Sequence, residues 1–205
     1  MSRSSKNGWR QRQEKDPYVL RARRDGWRSR AVYKLEQIAD KEKLLKPGML
    51  CIDLGAAPGG WSQYVVRRLN NKVRIIAVDL LPVEPLPGVE FIQGDFTEDA
   101  VFESLLEKLN GGRADLVMSD MAPNISGHKA VDQPRSSYLA ELALDLARRT
   151  LREGGNFVCK LFQGQGTDEL IAAARESFKT VKVVKPKASR PRSSEVYLVA
   201  RNYQL

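Results

Sequence analysis

Apolar and polar positions follow two periods along this chain. Residues 49–54 (MLCIDL), 74–80 (RIIAVDL), 89–95 (VEFIQGD), 115–120 (DLVMSD) and 156–162 (NFVCKLF) are short apolar runs and read as strands. Residues 60–69 suit a helix, 133–151 form a long amphipathic helix with a Leu139, Leu142, Leu146 stripe, and 168–178 form a shorter one. Upstream, Ser29 caps a helix through Asp40 with Val32, Leu35, Ile38 and Ala39 on one apolar stripe, and Pro47-Gly48 marks a turn. The chain closes with 180–185 (TVKVVK) and 195–200 (EVYLVA) as a strand pair. Near-continuous apolar strands fit a parallel sheet covered on both faces. Their alternation with helices predicts an α/β class, doubly wound and mostly parallel. The last two strands have no full helix between them, which predicts an antiparallel addition at one edge. No internal repeat is present.

Length and composition narrow this picture. The 205 residues are 42% hydrophobic, enough for one domain with a proper core. The expected division is a basic, partly flexible arm over 1–28 and a single domain over 29–205. No run of 18 apolar residues exists, so no membrane span is expected. Met1 to Arg12 are polar and basic without an apolar stretch, so no secretory leader is expected. Cys51 and Cys159 each sit in an apolar run and read as buried free thiols of a reducing compartment. A single histidine, His128, makes a His-rich metal site impossible, and no metal is expected. The chain is expected to be cytoplasmic and monomeric.

Charge is placed unevenly. Residues 1–30 hold ten Lys/Arg against Glu14, Asp16 and Asp25, a net of +7. Residues 179–194 hold six Lys/Arg and no acid, a net of +6, so the rest of the +9 chain carries −4. An acidic body with two basic patches points to a polyanionic partner held at defined places.

Four strands end in an acid: Asp53, Asp79, Asp95 and Asp120. Ligands of open α/β sheets bind at that end of the strands. Four carboxylates on one rim repel each other unless a cationic ligand offsets them. The first turn, Asp53-Leu54-Gly55-Ala56-Ala57-Pro58-Gly59-Gly60-Trp61, is not the GxGxxG of nicotinamide enzymes, because Asp53 stands where a glycine is needed. Pro58 removes one N–H donor to a pyrophosphate, so the turn suits a nucleoside without phosphates. Asp79 is placed to accept from ribose hydroxyls and Asp95 from an adenine amino group.

DLGAAPGGWSQ, GDF, SDMAPN and RSSEVY, in this order across residues 17–200, resemble the FtsJ/RrmJ family of ribosomal RNA 2′-O-ribose methyltransferases. The resemblance implies a Rossmann-like methyltransferase fold, S-adenosylmethionine as donor, and a uridine of large-subunit (23S-type) ribosomal RNA as acceptor. It puts Gly59, Trp61, Asp79, Asp95 and Asp120 around the donor, and the rim and turn reading adds Asp53 and Gly55. It also implies a catalytic set of Lys34, Asp120, Lys160 and Glu195, all present. The residues support the set independently. Lys160 is a charge inside an apolar strand, Lys34 interrupts an apolar helix face, and Glu195 opens a strand beside the basic loop. A 2′-hydroxyl must lose its proton as it attacks the methyl. Burial and a neighbouring Lys34 favour a neutral Lys160 that takes this proton. Asp120 and Glu195 oppose that and are expected to orient, as is Lys34.

Arg28, Arg30, Lys187, Arg190 and Arg192 are the expected RNA contacts, and Trp9 and Trp27 are candidates for stacking on unpaired bases. The alternatives are a 2′-O-methyltransferase of transfer RNA or an mRNA cap, or a non-catalytic ribosome-assembly factor that keeps the fold.

Overall fold

The computed structural model describes residues 15–123 and 128–205. In chain order the elements are α1 (Pro17–Arg24), α2 (Val32–Glu42), β1 (Met49–Leu54), α3 (Gly60–Arg68), β2 (Val73–Asp79), β3 (Val89–Gln93), α4 (Asp99–Leu109), β4 (Ala114–Ser119), α5 (Lys129–Thr150), β5 (Leu151–Phe162), α6 (Thr167–Ser177), β6 (Phe178–Val184) and β7 (Glu195–Tyr203). The strands form one sheet in the order β3-β2-β1-β4-β5-β7-β6. The first five are parallel, and β7 pairs antiparallel with both β5 and β6. The antiparallel addition is thus at one edge, with β7 inserted between β5 and β6.

Period-two alternation sends each strand's side chains to two separate cores. Ile52 and Leu54 of β1 join Leu105 and Leu109 of α4, Ala143 and Ala147 of α5 and Ala174 of α6 on one face. Cys51 turns to the other face, with Val32, Leu35 and Ile38 of α2 and Trp61 and Val65 of α3. The parallel order reverses between β1 and β4, and this switch point opens a crevice at the carboxyl ends of the strands.

Four details differ from the sequence reading. Helix α1 lies within the supposed arm: Asp16 caps it through Tyr18 N at 3.0 Å, Pro17 occupies its first position, and Ala22 is buried in the second core. Helix α4 had no counterpart, although Leu105 and Leu109 lie one turn apart. Helix α2 begins at Val32 rather than at Ser29, whose hydroxyl accepts from Ala31 N at 3.1 Å. The buried stripe of α5 is Ala140, Ala143, Leu144 and Ala147, so Leu139 and Leu142 are rotated out of the core into the crevice, while Leu146 stays buried. Trp9 lies outside the described residues.

Candidate active site

The crevice holds a cavity of about 580 Å³ between the ends of β1, β2, β3 and β4 and the side of α5. Gly55, Ala57, Asp79, Gly94, Asp95 and Asp120 line it, with Leu80, Leu81, Phe96, Met121, Tyr138, Leu139 and Leu142 as its apolar walls. Leu80, Leu81 and Tyr138 are exposed there. Three carboxylates on an apolar cleft suit a cationic ligand with hydroxyl and amino donors and a flat apolar body.

The acids are built differently from one another. Asp79 accepts from Ala57 N through Oδ2 at 2.9 Å and from Leu81 N through Oδ1 at 2.8 Å, tying the first turn to the loop after β2. Asp95 Oδ1 accepts from Thr97 N at 2.9 Å and from its hydroxyl at 2.7 Å. Asp53 is not among the residues lining the large cavity. It is buried, accepts from Ser62 Oγ at 2.7 Å, and lines a neighbouring pocket of about 50 Å³ with Gly55, Trp61 and Asp120. Burial, with Asp120 and Asp79 nearby, pushes its carboxyl up to about 7 although Ser62 favours the charged form.

Two further expected donor residues, Gly59 and Trp61, also make close contacts within the protein. Gly59 adopts φ 103° as the cap of α3, and a Cβ on it would lie 2.7 Å from Arg28 Nη1. Trp61 donates its ring N–H to Ala31 O at 2.9 Å and packs against Tyr197, with centroids 5.8 Å apart. It is buried and forms a wall of the small pocket.

Beside this crevice the four residues of the expected catalytic set converge from α2, the end of β4, β5 and β7. Glu195 Oε1 lies 2.7 Å from Lys34 Nζ, and Glu195 Oε2 lies 3.7 Å from Lys160 Nζ. Lys160 Nζ is 3.1 Å from Asp120 Oδ1 and donates to Asp120 O at 3.1 Å. Side-chain exposure is 9–16% for all four, so they form a nearly dry chain of two cations and two anions. Removing one member strands an unpaired charge, a loss of about 3–5 kcal/mol for a buried pair. Burial pushes the Glu195 carboxyl up, but the Lys34 and Lys160 ammoniums and the hydrogen bonds from Lys34 and Ser189 outweigh it, leaving it below its ordinary value.

Asp120 belongs to both the cavity and the charge chain, and so joins them. Its Oδ1 also accepts from Tyr197 Oη at 2.6 Å. Burial first, then Asp120 and Glu195, raise the Tyr197 phenol well above its usual range, so it remains a donor. The sequence reading missed Tyr197. Its signal was the alternation of β7, which puts residues 195 and 197 on one side of the strand.

The expected RNA contacts divide. Lys187, Arg190 and Arg192 are exposed on the loop between β6 and β7. Arg28 is engaged elsewhere: it donates to Pro58 O at 3.2 Å, Glu84 O at 2.7 Å and Pro85 O at 3.1 Å, latching the loop after β2 over the first turn. Arg30 donates to Ala188 O at 2.6 Å and lies 3.3 Å from Asp16, which Arg190 also contacts at 3.3 Å. Asp16 therefore staples the two sequence-distant basic segments into one surface. Trp27 packs on the second core with Arg67 4.4 Å above its ring, which favours a packing role. His128 directly precedes α5 and is exposed. Cys51 and Cys159 are buried free thiols; burial pushes Cys51 up and Cys159 up to about 12.

Known proteins resemble this chain in sequence and in fold. The model of the FtsJ-like methyltransferase family matches residues 27–203. The ribosomal RNA large subunit methyltransferase E of Hydrogenovibrio crunogenus is 54% identical over 202 residues, 98% of each chain. A crystal structure described as a ribosomal RNA methyltransferase from Plasmodium falciparum is 34% identical, with a TM-score of 0.78 over 86% of this chain and 98% of that one. Human methyltransferase-like protein 13, solved with SAH, shares the fold at a TM-score of 0.57 and 16% identity, over 83% of this chain and 82% of that one. On its sequence, its fold and the family match across nearly its whole length, this chain belongs to the FtsJ-like methyltransferases.

Proposed function

We propose that the protein transfers a methyl group from S-adenosylmethionine to the ribose 2′-hydroxyl of a uridine in large-subunit ribosomal RNA. The observation that carries this reading is the Lys34–Glu195–Lys160–Asp120 chain at the mouth of the donor cavity, joined to it by Asp120. The 54% identical relative, a ribosomal RNA large subunit methyltransferase, supports large-subunit ribosomal RNA as the molecule methylated.

The cavity's residues fit the donor. Asp79 and Asp95 offer acceptors for a nucleoside's hydroxyl and amino groups, Leu80, Leu81 and Phe96 offer apolar contact, and Asp120 offers a carboxylate to a cationic ligand. S-adenosylmethionine contributes a methyl made electrophilic by its sulfonium, so the protein must position the nucleophile and take its proton. Lys160 first releases its own ammonium proton to solvent, and the free amine then accepts the hydroxyl's proton. Asp120 and Glu195 hold its nitrogen from two sides, and Lys34 holds Glu195. The exposed Lys187, Arg190 and Arg192 gather phosphates beside Glu195, giving position without sequence choice. In this reading the RNA is presented by the large ribosomal subunit in the cytoplasm, and one copy of the chain suffices.

Incubating the protein with methyl-labelled S-adenosylmethionine and large ribosomal subunits, naked ribosomal RNA or transfer RNA tests the substrate. Label is expected in large-subunit RNA. Label confined to transfer RNA would replace the acceptor, and no label in any RNA would overturn the enzymatic reading.

A further inference from the structure

The loop between β6 and β7 carries exposed cations, yet its centre is inside the protein. Ala188 and Ser189 are both buried. The main chain of Ala188 is held on both sides: its N–H donates to Gln37 Oε1 at 2.9 Å, and its carbonyl accepts from Arg30 Nη2 at 2.6 Å. Gln37 lies one turn after Lys34 on the same face of α2, so the helix that presents Lys34 also anchors this loop. The next residue, Ser189, donates its hydroxyl to Glu195 Oε1 at 3.0 Å. That is the oxygen 2.7 Å from Lys34 Nζ. Oε1 thus takes two donors, and Oε2 is left toward Lys160 at 3.7 Å.

The terminal torsion of a glutamate is broad and two-fold. An ion pair with a flexible lysine tail leaves much of that freedom. A second donor from a separately anchored backbone removes it.

We propose that Ser189 is a positioning residue for methyl transfer. Pinned by Arg30 and Gln37, its hydroxyl fixes the rotation of the Glu195 carboxylate, so that one oxygen stays with Lys34 and the other faces Lys160 and the reacting hydroxyl. This rests on the catalytic role given above to Glu195. It also moves Arg30 from an RNA contact to the anchor of the loop. Phosphates gathered by Lys187 and Arg192 then bind a loop whose buried centre touches the reaction site.

The test compares Ser189→Ala and Ser189→Thr with the unsubstituted protein in single-turnover transfer, KM for RNA and the pH dependence of transfer. The charged groups facing Glu195 are Lys34 and Lys160, so losing the serine donor weakens support for the carboxylate form. For Ser189→Ala we expect transfer to slow about 10-fold, as for one lost hydrogen bond to a charged group, with KM for RNA within about twofold. We also expect the acid limb of the profile to move to higher pH, and Ser189→Thr to restore both. Unchanged transfer and an unchanged limb in Ser189→Ala would overturn the proposal. So would loss of transfer accompanied by a comparable rise in KM for RNA and a lower melting temperature, without rescue by threonine. Should the unsubstituted protein not methylate RNA, the proposed function fails but this inference is still decided. A carbon-13 titration of the Glu195 carboxyl must then show a higher midpoint in Ser189→Ala, and an equal midpoint refutes the positioning role.

Discussion

The two sides of the rim use carboxylates in opposite ways. On the donor side, Asp79 and Asp95 spend hydrogen-bonding capacity on backbone N–H groups of the rim loops, Asp79 bridging the first turn to the loop after β2, and so set the shape of the cavity. On the acceptor side, Asp120 and Glu195 hold side chains brought from α2, β5 and β7, and so set the position of charge. The first arrangement joins loops at the ends of adjacent strands and follows from where those strands end. The second exists only once the sheet has formed, with β7 laid antiparallel against β5, Lys160 opposite Tyr197 and Phe162 opposite Glu195. Shape serves binding, whereas charge placed around a reacting proton serves rate.

If this division is right, the two sides break separately. Lys160→Ala should have the largest effect, slowing transfer by about 10³-fold while donor affinity, measured by calorimetry, stays within a few-fold. An equal loss of donor affinity would erase the distinction between the sides.

Asp53 sharpens the donor side through stability. Its carboxyl sits at about 7 in the fold against an ordinary 3.8, so the folded chain keeps a proton that the unfolded chain releases above about pH 4. This contribution is fully present below the unfolded value and is lost as pH rises through about 7. Urea unfolding should show the protein losing on the order of a few kcal/mol between pH 4 and pH 8 from this group, and Asp53→Asn should flatten that slope. An unchanged slope would mean that the pocket is better solvated than its burial implies.

Tyr197→Phe tests the joint between the sides. Losing one hydrogen bond to Asp120 should slow transfer about 10-fold and alter donor affinity less. A larger effect on affinity would place Tyr197 with the cavity. The smallest effect is outside the crevice. Arg192→Ala should lower the salt dependence of RNA binding by about one phosphate contact, and Arg28→Ala, whose guanidinium is taken up by three carbonyls, should leave that slope unchanged.

Much of this was legible in the chain, for identifiable reasons. The apolar runs predicted all seven strands, although β5 begins at Leu151, five residues before its apolar run, and strand ends predicted the rim acids. What escaped was decided by tertiary packing. Basic character hid α1, although Asp16-Pro17 is a cap followed by a first-turn proline. The stripe on α5 was read in the wrong phase because leucines outweigh alanines in such a pattern, yet the close-packed face is the alanine one. Charge marked Arg28 and Arg30 as RNA contacts, but their carbonyl acceptors lie 30 to 158 positions away along the sequence and no local pattern reveals them. Ser189 and Tyr197 were missed for the same reason: each acts on a charge held by another element.

The central claim is that the hydroxyl reacting beside Lys160 is a ribose 2′-hydroxyl. A methyl group there blocks alkaline cleavage of the adjoining phosphodiester, because that cleavage needs the free 2′-oxygen as nucleophile. Methyl-labelled large-subunit RNA should therefore be hydrolysed in alkali and its products separated by size. The account predicts label in an alkali-stable dinucleotide whose 5′ nucleoside is uridine. Label recovered only in mononucleotides would put the methyl on a base and contradict it.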